Sequence, residues 1–389
     1  MRIDELTALN FKRFEELRIC FSKQLNVFVG INGAGKSTIL DAISKLLTWY
    51  VRRIVSPQGK GNGSAISEAD IRNGAMNSLI SLTADFAGQK VSWSIAKARR
   101  GGDLGGDKSD LRTLTDYIRY RRENNGGLHS VPVIVGYTVN RAVLDIPLRI
   151  KKHHEFGVLN AYDGAFDSAA YFRTFFEWFR EREDIENERM VDNFSSGSNT
   201  QCNDSELAVV KQALEAFLPD FKDWRIRRSP LRMEVHKSGQ ALDIKQLSDG
   251  EKNLVAMVGD LARRLAIAND GRADALSGSG IALIDEIELH LHPAWQRDIL
   301  PRLMDTFPNV QFFITTHSPL VLAQLNTALF RQSCVNKPME KAIEVFSLKD
   351  GHVKSMLDAE TGLLVSGEMD DIANEIDAEF EKAISGGCR

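Results

Sequence analysis

The stretch FVGINGAGKSTIL, residues 28–40, decides the fold. An apolar run leads into a glycine-rich turn, and a helical pattern follows the turn. Residues 30–37 fit the pattern GxxxxGK[ST], in which small residues let consecutive backbone N–H groups curl around phosphate oxygens. In this pattern the lysine neutralises the β- and γ-phosphates and the serine hydroxyl coordinates Mg²⁺. The sequence therefore predicts a phosphate-binding loop formed by Asn32, Gly33, Ala34, Gly35, Lys36, Ser37 and Thr38.

The residues on either side of this loop predict the structure that such a loop needs. Leu25, Val27 and Val29 indicate a buried strand before it. After it, apolar residues recur with helical spacing, so that the N-terminus of a helix would point its dipole at the phosphates. These apolar residues are Ile39, Leu40, Ile43, Leu46 and Leu47. A chance glycine-rich turn is the alternative, and the flanking strand and helix argue against it.

The composition is that of a soluble globular protein. The chain has 389 residues, of which 43% are hydrophobic and 26% charged, and this is enough for a large core. A formal net charge of −4 excludes a uniformly basic protein but allows local basic patches that bind nucleic acid. No apolar run is long enough to span a membrane. Because the cysteines are few and lack metal-site spacing, we expect a cytoplasmic protein; they are Cys20, Cys202, Cys334 and Cys388.

An apolar run at 281–284 ends in two carboxylates, Asp285 and Glu286. A buried strand with this ending is typical of a Walker B element. Asp285 would complete the Mg²⁺ shell together with Ser37, so these two residues are the predicted metal ligands. Glu286 would orient and deprotonate the attacking water. The alternative is a strand that ends in two solvated acids, and the upstream phosphate loop argues against it.

Another apolar run, at 310–314, ends in TTH, of which His317 is the third residue. A histidine at the carboxyl end of a strand in a parallel sheet lies where the γ-phosphate would be sensed. A structural histidine at the rim of the sheet is the alternative. The predicted catalytic residues are Lys36, Glu286 and His317.

The segment LSDGE, residues 247–251, is a polar loop that opens a long helical pattern. A serine hydroxyl, a glycine backbone and a helix N-terminus together suit contact with a phosphate. A single chain does not need two helix termini at one γ-phosphate, so we expect this loop to serve a neighbouring subunit. Its predicted contacts are Ser248, Asp249, Gly250 and Glu251.

The remaining segments predict that the ATPase head is formed by two parts of the chain with a lobe inserted between them. Residues 79–95 alternate in polarity around Gly88, which predicts an antiparallel hairpin, and residues 131–137 predict another strand. A helix with an aromatic stripe and a second helix predict an inserted helical lobe, which also contains basic strands. We expect an N-terminal part of an ATPase head over 1–141, the lobe over 142–245, the C-terminal part of the head over 246–355 and an acidic amphipathic helix over 356–389.

In this order, the phosphate loop, LSDGE, LIDEIELHLHP (283–293) and TTHSP (315–319) resemble the head of ABC-class ATPases, and more narrowly the soluble RecF/SMC/OLD-like branch. The resemblance implies an α/β P-loop NTPase head of ABC type with a mixed β-sheet, an antiparallel β-subdomain and an inserted mainly helical lobe. It implies ATP and Mg²⁺ as cofactors and two heads that sandwich two nucleotides. LTALNFKRFEEL (6–17) matches the first strand and turn of that branch, where Lys12 or Arg13 would lie near the nucleotide.

Two departures accompany this resemblance. The usual signature is LSGGQ, whereas Asp249 and Glu251 stand at two of its positions here. No clear Q-loop glutamine follows the strand at 133–137, and Asn140 or Arg141 would take its place.

Within the soluble branch, NRAVLDIPLRI (140–150) and the helix that follows LSDGE are most similar to PtuA-type ATPases of Septu and retron-linked anti-phage systems. This resemblance implies a regulatory ATPase that forms a head-to-head dimer, or multiples of it, beside a separately encoded HNH nuclease. A RecF-like DNA-repair clamp is the alternative, and the lack of a clear Q-loop disfavours a transporter motor. DNA or RNA contact by the basic segment 222–237, and a metal site at His290 and His292, stay open at this point.

Overall fold

The computed structural model of the chain describes residues 1–56, 58, 60–104, 106–124, 130–139, 157–167, 171–195, 204–322, 325, 342–349, 351–357 and 364. The predicted Q-loop substitutes Asn140 and Arg141 and most of the predicted C-terminal helix lie outside these residues.

The described residues form strands and helices in mixed order along the chain. The strands are β1 (Arg2–Phe11), β2 (Phe14–Cys20), β3 (Leu25–Val29), β4 (Asn77–Phe86), β5 (Gln89–Ala98), β6 (Val133–Tyr137), β7 (Phe221–Arg228), β8 (Leu231–Lys237), β9 (Gln240–Asp243), β10 (Gly280–Ile284), β11 (Val310–Thr316), β12 (Ile343–Lys349) and β13 (His352–Ser355). The helices are α1 (Lys36–Val55), α2 (Arg112–Asn124), α3 (Tyr171–Ser195), α4 (Ser205–Phe217), α5 (Asp249–Ala268), α6 (Pro293–Thr306) and α7 (Pro319–Leu322).

The central sheet has six strands in the order β13-β12-β3-β11-β10-β6. Its five strands from β12 to β6 are parallel, and β13 adds an antiparallel edge. All residues of β3, β10 and β11 are buried, as the continuous apolar runs predict for a sheet covered on both faces. Since parallel strands end at the same edge, the loops after β3, β11 and β10 lie side by side there.

The second sheet is antiparallel and has the order β2-β1-β4-β5. Its β4–β5 pair confirms the hairpin predicted from the alternation at 79–95. Helix α1 contacts β4 and β5 of this sheet and also β6 and β11 of the central sheet. The apolar residues predicted for one face of α1 are buried, and Trp93 of β5 donates a hydrogen bond to the carbonyl of Leu46 at 3.0 Å. The helix that begins at the phosphate loop is therefore held between two sheets.

A mainly helical lobe packs on α5. Helices α3 and α4 both contact α5, and the predicted aromatic stripe of α3 is buried. A Cβ atom at Gly259 of α5 would lie 2.6 Å from the Phe175 ring of α3, so the two helices approach closely at this glycine. The third sheet, with the order β7-β8-β9, follows α4. These layers confirm the predicted fold class: an α/β head with a mixed sheet, an antiparallel sheet and a mainly helical lobe.

None of the described helices is both long enough and apolar enough to cross a lipid bilayer.

Candidate nucleotide-binding site

The phosphate loop is a tight turn between β3 and α1. Gly35 is the residue before α1 and has a φ of 109°, a backbone conformation that L side chains rarely adopt. A Cβ atom there would lie 2.8 Å from the Phe14 ring and 2.9 Å from Cδ of Arg13. Only glycine therefore fits this position. Ala34 is buried, whereas Asn32 and Gly33 are exposed at the tip of the loop.

The Lys36 side chain is buried and lies against the loop itself. Its Nζ donates hydrogen bonds to the carbonyl oxygens of Gly30 at 2.6 Å and Ile31 at 2.9 Å. The ammonium group is thus enclosed by the turn that would surround a phosphate chain. This geometry suits the role predicted for Lys36.

Ser37 and the first Walker B carboxylate meet across the edge of the sheet. Ser37 Oγ lies 3.0 Å from Asp285 Oδ1, although 248 positions separate the two residues in sequence. A hydroxyl and a carboxylate oxygen this close are the protein ligands that Mg²⁺ takes in nucleotide sites, where the ion keeps most of its other positions for water and phosphate. The donor set therefore fits the metal ion that the motif predicts.

Thr315, the penultimate residue of β11, ties the two Walker B acids together. Its Oγ1 donates to Asp285 Oδ1 and accepts the backbone N–H of Glu286 at 2.8 Å. Glu286 has a φ of 48°, an uncommon conformation for a residue with a side chain. We attribute the turn after β10 to these bonds, since the Ile287 N–H also bonds to the Thr315 carbonyl, at 3.1 Å. Glu286 is half-buried and directly follows Asp285 in the sequence.

His317 is held by an acid that the sequence reasoning missed. Its backbone N–H donates to Glu288 Oε1 at 2.8 Å, and its Nδ1 lies 3.0 Å from the same oxygen. Glu288 is 6% exposed, while His317 is 38% exposed. The buried carboxylate thus holds the His317 backbone and lies beside the partly exposed imidazole. The signal for this acid in the sequence is its position two residues after Glu286, between the Walker B carboxylates and the two histidines.

The two basic residues predicted near the nucleotide differ in their surroundings. Lys12 Nζ lies 2.7 Å from Asp41 Oδ2 and 3.6 Å from Asp70 Oδ1. Two acids of the same chain therefore pair with its positive charge. Arg13 is exposed, and its stem lies against Gly35 of the phosphate loop. Of the two, Arg13 is better placed to meet a nucleotide.

The signature loop is the start of α5. Ser248 caps the helix: its Oγ accepts the Glu251 N–H at 3.3 Å, and the Glu251 carboxylate accepts the Ser248 N–H at 3.0 Å. Ser248 and Asp249 are exposed, but Gly250 is buried, and a Cβ atom there would lie 2.4 Å from the carbonyl oxygen of His290. The signature loop therefore packs on the segment that follows the Walker B acids.

Burial raises the pKa of the Glu251 carboxyl, but the hydrogen bonds from Lys237 and Ser248 outweigh burial and hold this pKa below its ordinary value. Glu251 is therefore a carboxylate at neutral pH.

The histidines after Walker B have structural contacts. His290 meets Gly250 through its backbone, and His292 Nδ1 accepts the Ala294 N–H at 3.3 Å at the start of α6. Among the described residues, no group of three or more histidine, cysteine or acidic residues is arranged to hold a metal ion.

The basic segment 222–237 forms strands, as predicted, and its arginines engage acids of the chain. Arg225, Arg227 and Arg232 all bond to Glu234, and Arg228 bonds to Glu183 and Asp184 of α3. Burial raises the pKa of Glu234, but the hydrogen bonds from its three arginines outweigh burial and lower this pKa to about 2.

A second feature that the sequence reasoning missed is a charged cluster inside α5. Asp260 is fully buried and bonds to Arg263 and Arg264 of the same helix. The hydroxyl of Tyr137, at the end of β6, donates to Asp260 at 3.0 Å, and the Tyr137 carbonyl accepts the Asp285 N–H at 2.9 Å. Tyr137 thus joins the signature helix to Walker B.

The fold and this site define a P-loop ATPase. The model of the family described as "AAA domain, putative AbiEii toxin, Type IV TA system" matches residues 25–323, and the chain belongs to this family.

The chain is similar in sequence to two curated proteins and in fold to a solved structure. It is 33% identical over 379 residues to "Retron Ec83 probable ATPase" of Escherichia coli, which covers 82% of this chain and 69% of that protein. It is 23% identical over 336 residues to "Septu protein PtuA" of Bacillus thuringiensis, covering 82% and 71%. A crystal structure of an Smc head bound to the C-terminal winged-helix domain of ScpA covers 91% of this chain and 97% of that one, with 17% identity and a TM-score of 0.49.

Proposed function

We propose that two copies of this chain sandwich two ATP molecules, and that this association controls a separately encoded nuclease in cytoplasmic anti-phage defence. The observation that carries the proposal is that the chain has two helix starts, those of α1 and α5, whose residues suit contact with a phosphate. Lys36 and Ser37 begin α1 beside Asp285, whereas the exposed, Ser248-capped start of α5 packs on His290. A complete site then takes α1 from one copy and α5 from the other.

The proposed chemistry is in-line transfer of the γ-phosphoryl group to water. Lys36 binds the β- and γ-phosphates, and Ser37 and Asp285 hold the Mg²⁺ ion, which supplies charge neutralisation when bound. Glu286 orients the attacking water and accepts its proton. His317, oriented by Glu288, contacts the γ-phosphate.

Each proposed site is composite. One copy contributes the loop from Asn32 to Thr38 together with Asp285, Glu286 and His317, and Arg13 lies at its border. The other copy contributes the start of its α5, residues 248–251, whose Ser248 hydroxyl meets the same γ-phosphate. ATP binding then holds the heads together and hydrolysis releases them, which suits a slow, regulatory ATPase. The assembly is a head-to-head dimer or a multiple of it.

The effector in this proposal is an HNH-type nuclease encoded beside the ATPase. The support is the similarity of the chain, over 82% of its length, to a retron ATPase and to a Septu PtuA protein. In this proposal the nuclease carries out the defence reaction, and the nucleotide state of the ATPase heads determines whether the nuclease is active.

The test uses Glu286→Gln, which removes the proposed proton acceptor but keeps the side-chain shape. We expect hydrolysis to fall by roughly 10²- to 10⁴-fold, since this is the usual contribution of a general base. ATP binding should remain, and sedimentation velocity should show a dimer with ATP–Mg²⁺ and a monomer without it. Loss of ATP binding, or a monomer in the presence of ATP, would contradict the proposal.

The effector is tested by affinity capture of the Glu286→Gln chain from its native host, with and without ATP–Mg²⁺. We expect mass spectrometry to find a small nuclease, and DNA cleavage by the eluate to depend on the nucleotide. An eluate that contains DNA and no nuclease would reject the control of an effector.

A second candidate function is a DNA-binding clamp. It is favoured by one face of the β7–β8 pair, where the partly exposed Arg225, Arg227 and Arg232 bond to a single acid, Glu234. Arg227 and Arg232 are direct cross-strand partners, and three guanidinium groups on one carboxylate leave an excess of positive charge that attracts phosphate groups. ATP hydrolysis that DNA stimulates without any protein partner would support the clamp, and hydrolysis indifferent to DNA would exclude it.

A further inference from the structure

Lys237, the last residue of β8, is held in place from two sides. Its Nζ pairs with Glu251 Oε1 and lies 5.1 Å from the centre of the buried Phe221 ring. The Lys237 side chain is 34% exposed and the Glu251 side chain 14%. A charge pair in this half-buried position is screened less by salt than a pair on the open surface.

The other oxygen of Glu251 reaches the exposed end of the signature loop. Glu251 Oε2 lies 3.0 Å from both the backbone nitrogen and the Oγ of Ser248. The negative charge of Glu251 is therefore next to the hydroxyl that, in the proposed dimer, meets the γ-phosphate of the other copy. A carboxylate and a phosphate at such a distance repel each other. The glutamine of the LSGGQ pattern would not have this effect, because it is neutral.

We propose that Lys237 is a positioning residue that neutralises Glu251, so that the signature loop accepts the γ-phosphate bound by a second copy. This inference rests on the proposed composite site and adds a residue from a separate strand to it. The loop has a second acid, Asp249, which pairs with Lys252 at 3.1 Å, but Asp249 is 81% exposed and water screens its charge. Glu251 is the acid that needs a fixed cation.

The test is a double-mutant cycle in the Glu286→Gln background, in which the charges of Lys237 and Glu251 are removed singly and together. Sedimentation velocity with ATP–Mg²⁺ is used to measure the dimer dissociation constant of Lys237→Met, Glu251→Gln and the double variant. We expect Lys237→Met to raise this constant by at least about tenfold, as an unneutralised charge near a phosphate would. Glu251→Gln should dimerise at least as well as the parent, since glutamine also serves in a capping box.

The decisive result is the double variant. We expect Lys237→Met with Glu251→Gln to restore the parent's dissociation constant, because no charge is left to neutralise. The defect of Lys237→Met should also shrink between about 50 mM and about 500 mM salt. Lys222→Met, which removes the same charge from β7 without touching Glu251, is the matched control and should behave as the parent.

A double variant as weak as Lys237→Met would show that Lys237 only supports the local fold, and would overturn the inference. An unchanged dissociation constant for Lys237→Met would overturn it as well. Lys237→Arg guards against misfolding, since it keeps the charge and should dimerise normally. If the Glu286→Gln parent itself fails to dimerise with ATP, the proposed function fails, and this outcome is distinct from the first two.

Discussion

At the residue scale, the site depends on a few side chains that polar neighbours hold in place. Thr315 bonds to both Walker B residues, and Glu288 bonds to His317. Both residues lie inside the segments TTHSP and LIDEIELHLHP, but the sequence pattern assigns no role to either of them. They decide where the motif residues point, so the motif alone is an incomplete description of the site.

The first prediction at this scale concerns Lys36. Lys36→Ala removes the buried ammonium group from the phosphate loop, so ATP should bind roughly 10- to 100-fold more weakly, as expected for the loss of hydrogen bonds from a charged donor. Titration of a fluorescent ATP analogue measures the dissociation constant. Lys97→Ala, which removes an exposed lysine of β5, is the matched control and should bind as the wild type does. Near-native affinity of Lys36→Ala would remove this loop from the site.

At the scale of secondary-structure elements, two glycines of α5 let this helix lie close to neighbouring segments. Gly250 lets the start of α5 approach the His290 backbone, and Gly259 lets α5 approach Phe175 of α3. Helix α5 therefore touches both the Walker B segment and the helical lobe.

A pH prediction belongs to the β7–β8 pair. The pKa of Glu234 is lowered from an ordinary 4.5 to about 2, so its ion pairs stabilise the fold fully above pH 4.5 and lose this effect as the pH falls through 2. Glu234→Gln should lower the free energy of unfolding by about 1–3 kcal/mol at pH 7, and the difference from wild type should shrink as the pH approaches 2.

Urea unfolding at pH 7 and at lower pH measures this difference. The matched control is Glu215→Gln, which neutralises an exposed acid of α4 and should change stability little at either pH. A difference between wild type and Glu234→Gln that grows on acidification would contradict the assigned ion pairs.

At the scale of the whole molecule, the proposed composite site predicts complementation between two inactive chains. Ser248→Asp keeps a capping residue at the start of α5 but sets a carboxylate against the phosphate. Lys36→Ala spoils the phosphate loop. Each variant alone should lack ATPase activity. A 1:1 mixture should regain between about one quarter of wild-type activity, if all pairs form equally, and about one half, if only mixed dimers form, since each mixed dimer has one intact site of two.

The mixing experiment is read as phosphate release after the two chains have been incubated together with ATP–Mg²⁺. A mixture as inactive as its components would mean that both halves of a site come from the same chain. Mixing Lys36→Ala with Glu286→Gln is the control: both residues belong to the same half-site, so no intact site forms and activity should stay absent.

The sequence by itself determined the local chemistry of this protein. The phosphate loop, the Walker B strand, the signature helix and the β4–β5 hairpin are each encoded by consecutive residues whose spacing and polarity act over a few positions. Predictions of this kind are confirmed for the strands and helices named above. The residue roles within the motifs stay predictions, which the experiments above test.

Only the tertiary structure decided which of these segments meet. The order of the sheet puts β11 between β3 and β10, and this brings Thr315 to Asp285 and Asp285 to Ser37. It also brought Arg225 of β7 to Glu234 of β8, and Lys237 to Glu251. Hydrophobic periodicity indicates that a face is buried, but it does not identify the partner of that face, because contacts between distant segments depend on how all the layers pack together.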